Sequence, residues 1–278
     1  MSTTYGGGAY QPAPQISFDW ISQAWALFRA QMGAWIVALL LFFVVLLVIC
    51  IPLAFVTGYA GVIRAIFETS RSGAPAVSPF STFSNVGVIL FGLLSGAISY
   101  VLLGGLYRMA VRTARGETVA ATDIFSGLDK AVPMIVVGLL SGIATTIGAY
   151  LCILPGLILA GLLMFAPLLV VDRGLPPLQA MSESVGLLKK QWLMAGVFYL
   201  VIALVASLGG LLLGVGILFT YPLLFLSIAL GYLAFTGQLP PGAGQGFGEA
   251  QPGVWPPPPS AAPPTAWPPP PGSAPPGA

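Results

Sequence analysis

Four long stretches of the chain contain no charged residue, and this pattern constrains the fold more than any other feature. They cover residues 30–63, 72–107, 131–171 and 191–248 of the 278-residue chain. Only 6% of the residues are charged and 57% are hydrophobic, whereas soluble domains carry about 25% charged residues. This composition is typical of an integral membrane protein.

A spanning helix needs about 20 apolar residues, so the charge-free stretches can be divided into spans. The first two stretches hold one span each. The third holds a hairpin whose turn we place at Pro155 and Gly156, because proline followed by glycine favours a turn. The fourth is broken near Gly214 and Gly216 and holds two spans. The predicted spans are residues 33–57, 86–106, 132–154, 157–171, 193–212 and 218–235.

The expected fold is therefore all-α, an integral membrane bundle of six transmembrane helices in residues 16–238. Residues 1–15 are polar and rich in glycine, and residues 239–278 are rich in proline, so both tails are predicted to be disordered. The basic residues set the orientation, because cytoplasmic segments carry an excess of lysine and arginine. Eight of the ten lie on the side of the two termini, which predicts a bacterial inner-membrane protein with both termini in the cytoplasm.

Two amphipathic segments precede the first and fifth predicted spans and match at a constant offset of 160 residues. In this register Leu27 matches Leu187 and Gln31 matches Gln191. Helical spacing with a basic end favours interfacial helices. We interpret the match as an internal duplication, which the parallel direction of the two spans allows.

Several kinds of chemistry are excluded by composition. The chain has no histidine, so a Ser-His-Asp or Cys-His mechanism cannot be built from it. The two cysteines, Cys50 and Cys152, are too few for a cysteine-only metal site. A net charge of +2 does not suggest nucleic-acid binding. No charge lies within a predicted span, which disfavours a proton-coupled pump or a voltage-gated channel.

Pairs of glycine residues four positions apart occur in two of the predicted spans and at the end of a third. This spacing lets helices approach closely, either within one bundle or across a homodimer face, so a homo-oligomer is one interpretation. The predicted helix-packing residues are Gly92, Gly96, Gly138, Gly142, Gly210 and Gly214.

Hydroxyl-bearing residues in the spans support two interpretations. They could line a path for a neutral or lipid-like substrate, or they could bond to their own helices and to neighbouring ones. These residues are Ser99, Tyr100, Thr145, Thr146, Tyr150 and Tyr199.

Five carboxylates near the inner face also have two interpretations. They could bind a metal or act chemically on a lipid headgroup, but their spacing follows no known ligand pattern. The simpler expectation is that Asp123 or Thr122 caps a helix and that Glu117 balances Arg115. We therefore predict no catalytic residue, metal or cofactor. The five carboxylates are Glu117, Asp123, Asp129, Asp172 and Glu183.

The C-terminal tail ends in a tandem 12-residue repeat, identical at nine positions, in which each copy starts with tryptophan and four prolines. Consecutive prolines favour polyproline II, which docks on aromatic grooves at little entropic cost. A cytoplasmic polyproline-binding protein is the expected partner, besides membrane lipids. The predicted docking residues are Trp255, Pro256, Pro257, Trp267, Pro268 and Pro269.

Several short motifs together resemble the signature of uncharacterised bacterial multi-spanning membrane proteins. They are Gly105-Leu-Tyr-Arg-Met-Ala110, Arg115-Gly-Glu117, Asp123-Ile-Phe-Ser-Gly127, Ile153-Leu-Pro-Gly156, Val171-Asp172-Arg173 and Gly214-Val-Gly216. These families are similar to the membrane domain attached to some glycerophosphodiester phosphodiesterases. The resemblance covers residues 16–236. It implies a helical membrane domain and no catalytic residues.

Two functions remain open at this point. The leading hypothesis is a non-enzymatic scaffold or accessory factor whose proline-rich tail recruits a partner. The alternative is a transporter or flippase for a neutral or lipid-like substrate, suggested by the duplicated units and broken hairpins.

Overall fold

A computed structural model describes residues 14–59, 63, 67, 70–71, 86–211 and 215–239. All regular structure in this part of the chain is helical, as expected. Gly214 and the predicted docking residues of the tail, Trp255–Pro257 and Trp267–Pro269, lie outside the described residues.

The described part of the chain forms nine α-helices and two 3-10 helices. The α-helices are α1 (Asp19–Ala30), α2 (Met32–Val56), α3 (Val86–Ala114), α4 (Ala131–Leu151), α5 (Ile153–Leu163), α6 (Ala166–Arg173), α7 (Pro177–Leu188), α8 (Trp192–Leu211) and α9 (Ile217–Phe235). The 3-10 helices are η1 (Ala121–Lys130) and η2 (Lys189–Gln191).

Six helical stretches among these residues are long and apolar enough to cross a bilayer. They are α2, α3, η1 with α4, α5 with α6, α7 with α8, and α9. At 1.5 Å per residue, even α9 is about 28 Å long, close to the roughly 30 Å thickness of the hydrocarbon core. The predicted six-span, all-α architecture is confirmed, since each helical stretch contains a predicted span or nearly all of it.

The outer surface of the spans is apolar. On α2, Leu47, Val48, Phe55 and Val56 expose between 56% and 85% of their area. Exposed apolar surface on this scale belongs in lipid rather than in water. The core lies at the centre of the bundle, where its largest fully buried side chains are Trp35, Tyr232, Phe28, Phe165 and Phe198.

Close helix packing uses other glycines than those the four-residue spacing predicts. A Cβ added at Gly92, Gly96, Gly142 or Gly210 would meet nothing within 4 Å, so these residues do not pack against another described helix of the same chain, and a homodimer face stays a prediction. Only Gly138 is in close contact, beneath the ring of Tyr100. The spacing places glycines on one face of a helix, but it does not say whether another helix covers that face.

The tightest approaches involve glycines that lack the four-residue spacing. Gly105 lies against the backbone of Ile124, and Gly161 lies against the backbone of Ala195. In both places a methyl group would overlap a backbone atom of the neighbouring helix. These contacts set the distances between α3 and η1 and between α5 and α8.

The hairpin turn between the third and fourth spans lies at Cys152, three residues before the predicted position. Cys152 is extended, with φ −171° and ψ 147°, and α5 begins at Ile153. Pro155 and Gly156 therefore belong to the first helical turn, where proline is tolerated because the N–H there has no helical partner. Gly156 permits a close approach to the backbone of Ala149.

The two amphipathic segments bury equivalent positions. Trp20, Ala24 and Phe28 are buried in α1, and Ala180, Ser184 and Leu188 are buried in α7, again 160 residues apart. The following spans, α2 and α8, begin at Met32 and Trp192 with the same offset.

The matched glutamines bond in the same way. Gln31 Nε2 donates to the Glu117 carbonyl at 2.8 Å, and its Oε1 accepts from the Val119 N–H at 2.8 Å. Gln191 Nε2 donates to the Pro14 carbonyl at 2.8 Å, and its Oε1 accepts from the Ile16 N–H at 2.9 Å. In each case the side-chain amide bonds to two backbone groups of a non-helical segment, and these groups belong to residues two positions apart. The similarity between the two predicted copies therefore includes their contacts as well as their sequence.

Three arginines at the C-terminal end of α3 form ion pairs that connect neighbouring elements at one end of the bundle. Arg108, Arg112 and Arg115 share one helix face, because they lie four and three residues apart. Each binds a carboxylate from a different position on neighbouring elements. We call this set the arginine clamp; its ion pairs are Arg108 with Asp129 at 3.1 Å, Arg112 with Asp123 at 2.8 Å and Arg115 with Asp172 at 2.8 Å.

The Arg115 pair is the most enclosed of the three. Two guanidinium nitrogens donate to the two oxygens of Asp172 at 2.8 and 2.9 Å, and the Tyr232 hydroxyl donates to the same carboxylate at 2.7 Å. The Asp172 side chain is only 13% exposed. The hydrogen bond to Asp172 raises the pKa of Arg115, so the guanidinium stays charged. This pair joins α3, α6 and α9.

Several of the short motifs quoted from the sequence lie at the clamp. Gly105 and Gly127 let α3 and η1 touch at their backbones, and Arg108 donates to the Ser126 carbonyl across that contact. Asp123 accepts from the Ala120 N–H at 3.0 Å and so caps η1, as expected. Glu117 pairs with Arg112 at 2.8 Å rather than with Arg115, which corrects the expected pairing.

Replacing Arg115 by glutamine tests the clamp. We expect Arg115→Gln to destabilise the purified protein by about 3 kcal/mol, because it leaves the largely buried Asp172 carboxylate without its cation. Thermal unfolding in detergent measures this loss. The matched control is Arg173→Gln, whose partner Glu183 is 32% exposed and which should cost less than about 1 kcal/mol. Equal losses for the two variants would contradict a structural role for the clamp.

Candidate functional site

A small cavity lined by hydroxyl groups lies among the spans. Its volume is about 130 Å³. Residues from α3, α4, α5, α6, α8 and α9 line it, so it lies where most of the bundle meets. Its polar side chains are Tyr100, Tyr107, Ser141, Thr145 and Tyr199.

Most of these hydroxyls have no partner in the described part of the chain. The Ser141 oxygen is buried and makes no hydrogen bond. The hydroxyls of Tyr100, Tyr107 and Tyr199 bond to no described residue. Thr145 alone is satisfied, because it donates to its own helix at the Ser141 carbonyl, 2.8 Å away. Unpaired polar groups among hydrocarbon-facing helices are costly, so this cluster calls for a polar occupant.

An apolar groove opens beside the cavity, between α3 and α4. Its volume is about 520 Å³, within the range of sites that hold small molecules. Its floor is made by Gly92, Gly96 and Gly142, whose missing side chains leave the space open. Leu93 and Ile147 on its rim are more than half exposed, so the groove faces outward.

The groove and the cavity are neighbours. Both are lined by Tyr100 and Gly142. The combined site therefore changes from mostly apolar at the outer surface to hydroxyl-lined inside the bundle. An arrangement of this kind suits an amphipathic molecule.

The helix that borders the cavity is interrupted. Met164 and Phe165 separate α5 from α6 near the middle of the fourth span. Pro167 has no N–H to donate to the Leu163 carbonyl, which breaks the helical hydrogen-bond series. The buried Ser184 on α7 compensates in part, since its hydroxyl donates to the Leu162 carbonyl at 2.6 Å.

The ring of Tyr100 is positioned by a glycine. A Cβ at Gly138 would lie 2.4 Å from the Tyr100 ring, so only glycine lets the ring rest on α4. This contact places the ring between the groove and the cavity. Gly138 thus serves the site by positioning Tyr100.

The structure brings together some of the hydroxyl residues considered from sequence. Tyr100, Thr145 and Tyr199 line the cavity, and Thr146 lines the groove. Ser99 bonds to the Ser95 carbonyl of its own helix at 2.7 Å, and Tyr150 is 84% exposed, so neither contributes to the site.

Two cavity residues were missed from sequence. Tyr107 lies seven residues after Tyr100, and Ser141 lies four residues before Thr145, so each shares a helix face with a residue that was considered. That spacing was the available signal. Tyr107 falls one residue beyond the predicted end of the second span, and for this reason it was not counted.

The five carboxylates form no metal site among the described residues. Each of them instead pairs with an arginine: Glu117, Asp123, Asp129 and Asp172 at the clamp, and Glu183 with Arg173 at 2.8 Å. The ion-pair interpretation is the one that the geometry supports.

Substituting two nearby glycines distinguishes a glycine that is packed against another residue from one that faces open space. We expect Gly138→Ala to lower the stability of the purified protein by about 2 kcal/mol, because the methyl group must displace the Tyr100 ring. Gly142→Ala, on the same helix and with open space around it, should change stability by less than about 0.5 kcal/mol. Thermal unfolding in detergent compares the two. If Gly142→Ala is the more damaging variant, the placement of Tyr100 is wrong.

No family model, no curated protein and no solved structure matches this chain. The role of the cavity and groove is therefore argued from their own geometry. What that geometry presents is a six-span helical bundle with a hydroxyl-lined interior site open to an apolar groove.

Proposed function

We propose that this multi-pass membrane protein binds a neutral, lipid-like molecule and gives it a path across the bilayer. One observation carries the proposal: Tyr107, Tyr199 and Ser141, whose hydroxyls bond to no described residue, together line a cavity that adjoins an outward-facing apolar groove. The lining carries no charge, which suits an uncharged ligand. Transport of this kind needs no catalytic group, and we propose that the protein is not an enzyme.

Two further features favour transport over simple binding. The units α1–α2 and α7–α8 repeat in parallel, and the span formed by α5 and α6 is interrupted beside the cavity. Transporters are often built from repeats and place their sites at interrupted helices near the middle of the membrane. A kinked span can shift more easily than a continuous one, because part of its hydrogen-bond series is already open.

The setting that we propose is a bacterial inner membrane, with both termini in the cytoplasm. The excess of basic residues on that side supports this orientation. The described members of that set include the arginine clamp and Arg173, which meet at one end of the bundle. We also propose membership of the uncharacterised multi-spanning family, since its motifs coincide with the clamp and its glycine contacts.

A vesicle assay tests the path. The purified full-length chain is reconstituted in liposomes that contain a fluorescent monoglucosyl diacylglycerol, an uncharged lipid whose sugar slows its spontaneous movement. Dithionite quenching reports how fast the lipid leaves the inner leaflet. We expect at least tenfold acceleration over empty vesicles, because the groove and cavity shelter the sugar from hydrocarbon.

The matched variants of this assay are Gly142→Leu, which fills the groove, and Gly210→Leu, which fills open space elsewhere on α8. Gly142→Leu should remove most of the acceleration, and Gly210→Leu should keep it. Movement no faster than in empty vesicles would refute the transport proposal.

A second candidate function is that of a scaffold or accessory factor, favoured by the tandem Trp-Pro repeat of the tail. The repeat offers two copies of one docking segment, which raises the avidity for a partner with two aromatic grooves. The partner that we propose is a cytoplasmic polyproline-binding protein. This role is compatible with transport, since the tail and the bundle are separate in sequence.

Crosslinking in cells tests the scaffold role. The full chain, a chain ending at Gln238 and a chain with Trp255→Ala and Trp267→Ala are compared by affinity capture and mass spectrometry. We expect a polyproline-binding protein to be captured by the full chain and depleted at least fivefold in both variants, because both lack the aromatic anchors. The same captured proteins from all three chains would refute recruitment by the tail.

A further inference from the structure

We infer that the ligand is an uncharged, hydroxyl-bearing glycerolipid that enters sideways from the bilayer, with its head in the cavity and one acyl chain in the groove. This inference deepens the proposed function and rests on its use of the same site. It adds the chemical class of the ligand, the part of the ligand that each half of the site holds, and the direction of entry.

The lining of the cavity favours an uncharged, hydroxyl-bearing lipid headgroup. A tyrosine or serine hydroxyl can both donate and accept, so the free hydroxyls of Tyr100, Tyr107, Tyr199 and Ser141 match hydroxyl and ester oxygens. No lysine or arginine lines the cavity. Arg108, the residue directly after Tyr107, does not line the cavity and is engaged with Asp129 and with the Val171 carbonyl. A phosphate head would therefore be buried without a counter-charge, which is strongly unfavourable.

The length and lining of the groove favour a lipid acyl chain. Along α4 it extends from Ile135 to Ile147, about 18 Å at 1.5 Å per residue. Half of the hydrocarbon core is about 15 Å, so the length of the groove is similar to that of one extended acyl chain. Its lining is apolar apart from Tyr100 and Thr146. A single acyl chain in this groove would place its glycerol end beside Tyr100, where the cavity begins.

The arrangement of the glycines argues against a second copy of the chain as the occupant. They lie on the floor between two helices, because Gly92 and Gly96 belong to α3 while Gly138 and Gly142 belong to α4. A close helix dimer instead places its small residues on the one helix face that meets the partner.

Photolabelling of the full chain in liposomes tests the inference. The probe is a diacylglycerol with a diazirine in one acyl chain, and mass spectrometry locates the labelled peptides. We expect label on the groove-lining parts of α3 and α4. Unlabelled diacylglycerol should compete at least tenfold better than phosphatidylglycerol, because only the uncharged head enters the cavity.

Two pairs of variants make the test specific. The double change Tyr107→Phe with Tyr199→Phe removes two hydroxyls and keeps both rings, and Gly142→Leu fills the groove. Each should reduce labelling at least fivefold. The controls Tyr150→Phe and Gly210→Leu alter a tyrosine and a glycine outside the site and should leave labelling unchanged.

The outcomes separate the ligand from the transport path. Labelling with the expected pattern but no lipid movement in the vesicle assay would support the ligand inference and end the transport proposal. Equal competition by phosphatidylglycerol, loss of label with free glycerol alone, or crosslinks between two chains across the groove would each overturn the inference. They would point to an anionic lipid, a soluble polyol or a second copy, respectively.

Discussion

The structure depends on one constraint: within hydrocarbon, a polar group must find its partner inside the protein. Helices satisfy the hydrogen bonds of almost all backbone groups, and individual side chains bond to some of the groups that remain. Ser184 donates to the Leu162 carbonyl near the interruption between α5 and α6. Gln31 and Gln191 bond both ways to the non-helical segments that they touch. Several buried polar atoms outside the cavity also lack a partner, such as Thr113 Oγ1 and Ser227 Oγ. What distinguishes the cavity is that Ser141 and three tyrosines line the same space, and this is the strongest indication of a ligand.

Ion pairs connect the spans at the end of the bundle where the arginine clamp lies, and close packing connects them deeper in the bundle. The arginine clamp joins α3 to η1, α6 and α9, with Asp172 binding both Arg115 and Tyr232. Deeper in the bundle, glycines such as Gly105 and Gly161 let helices touch at their backbones. Without a hydrophobic driving force between helices in lipid, such contacts carry much of the association energy. On the side of Gly105 away from the clamp, α3 and α4 leave the groove open along Gly92, Gly96 and Gly142.

The open groove and the hydroxyl cavity have opposite polarity and share Tyr100 and Gly142. This juxtaposition connects the architecture with the proposed handling of an uncharged lipid. The arginines at the clamp are paired with carboxylates, so cationic groups are kept away from the cavity. The proposed recruitment of a partner is compatible with this path, because the repeat in the tail is separate in sequence from the bundle. A transport unit with a docking tail would combine both proposed roles.

The sequence by itself determined the class of the protein, since charge-free stretches of sufficient length must become spanning helices, and residues 33–57 or 218–235 could be placed to within a few positions. It also predicted the offset of 160, because equivalent residues such as Gln31 and Gln191 carry the same side chain. The site was only partly predictable: Tyr100, Thr145 and Tyr199 were candidates, whereas Tyr107 and Ser141 joined them only in the folded bundle. Only the tertiary structure decided which glycines pack and which leave space, because Gly92 and Gly105 differ in what lies opposite them and not in their own chemistry.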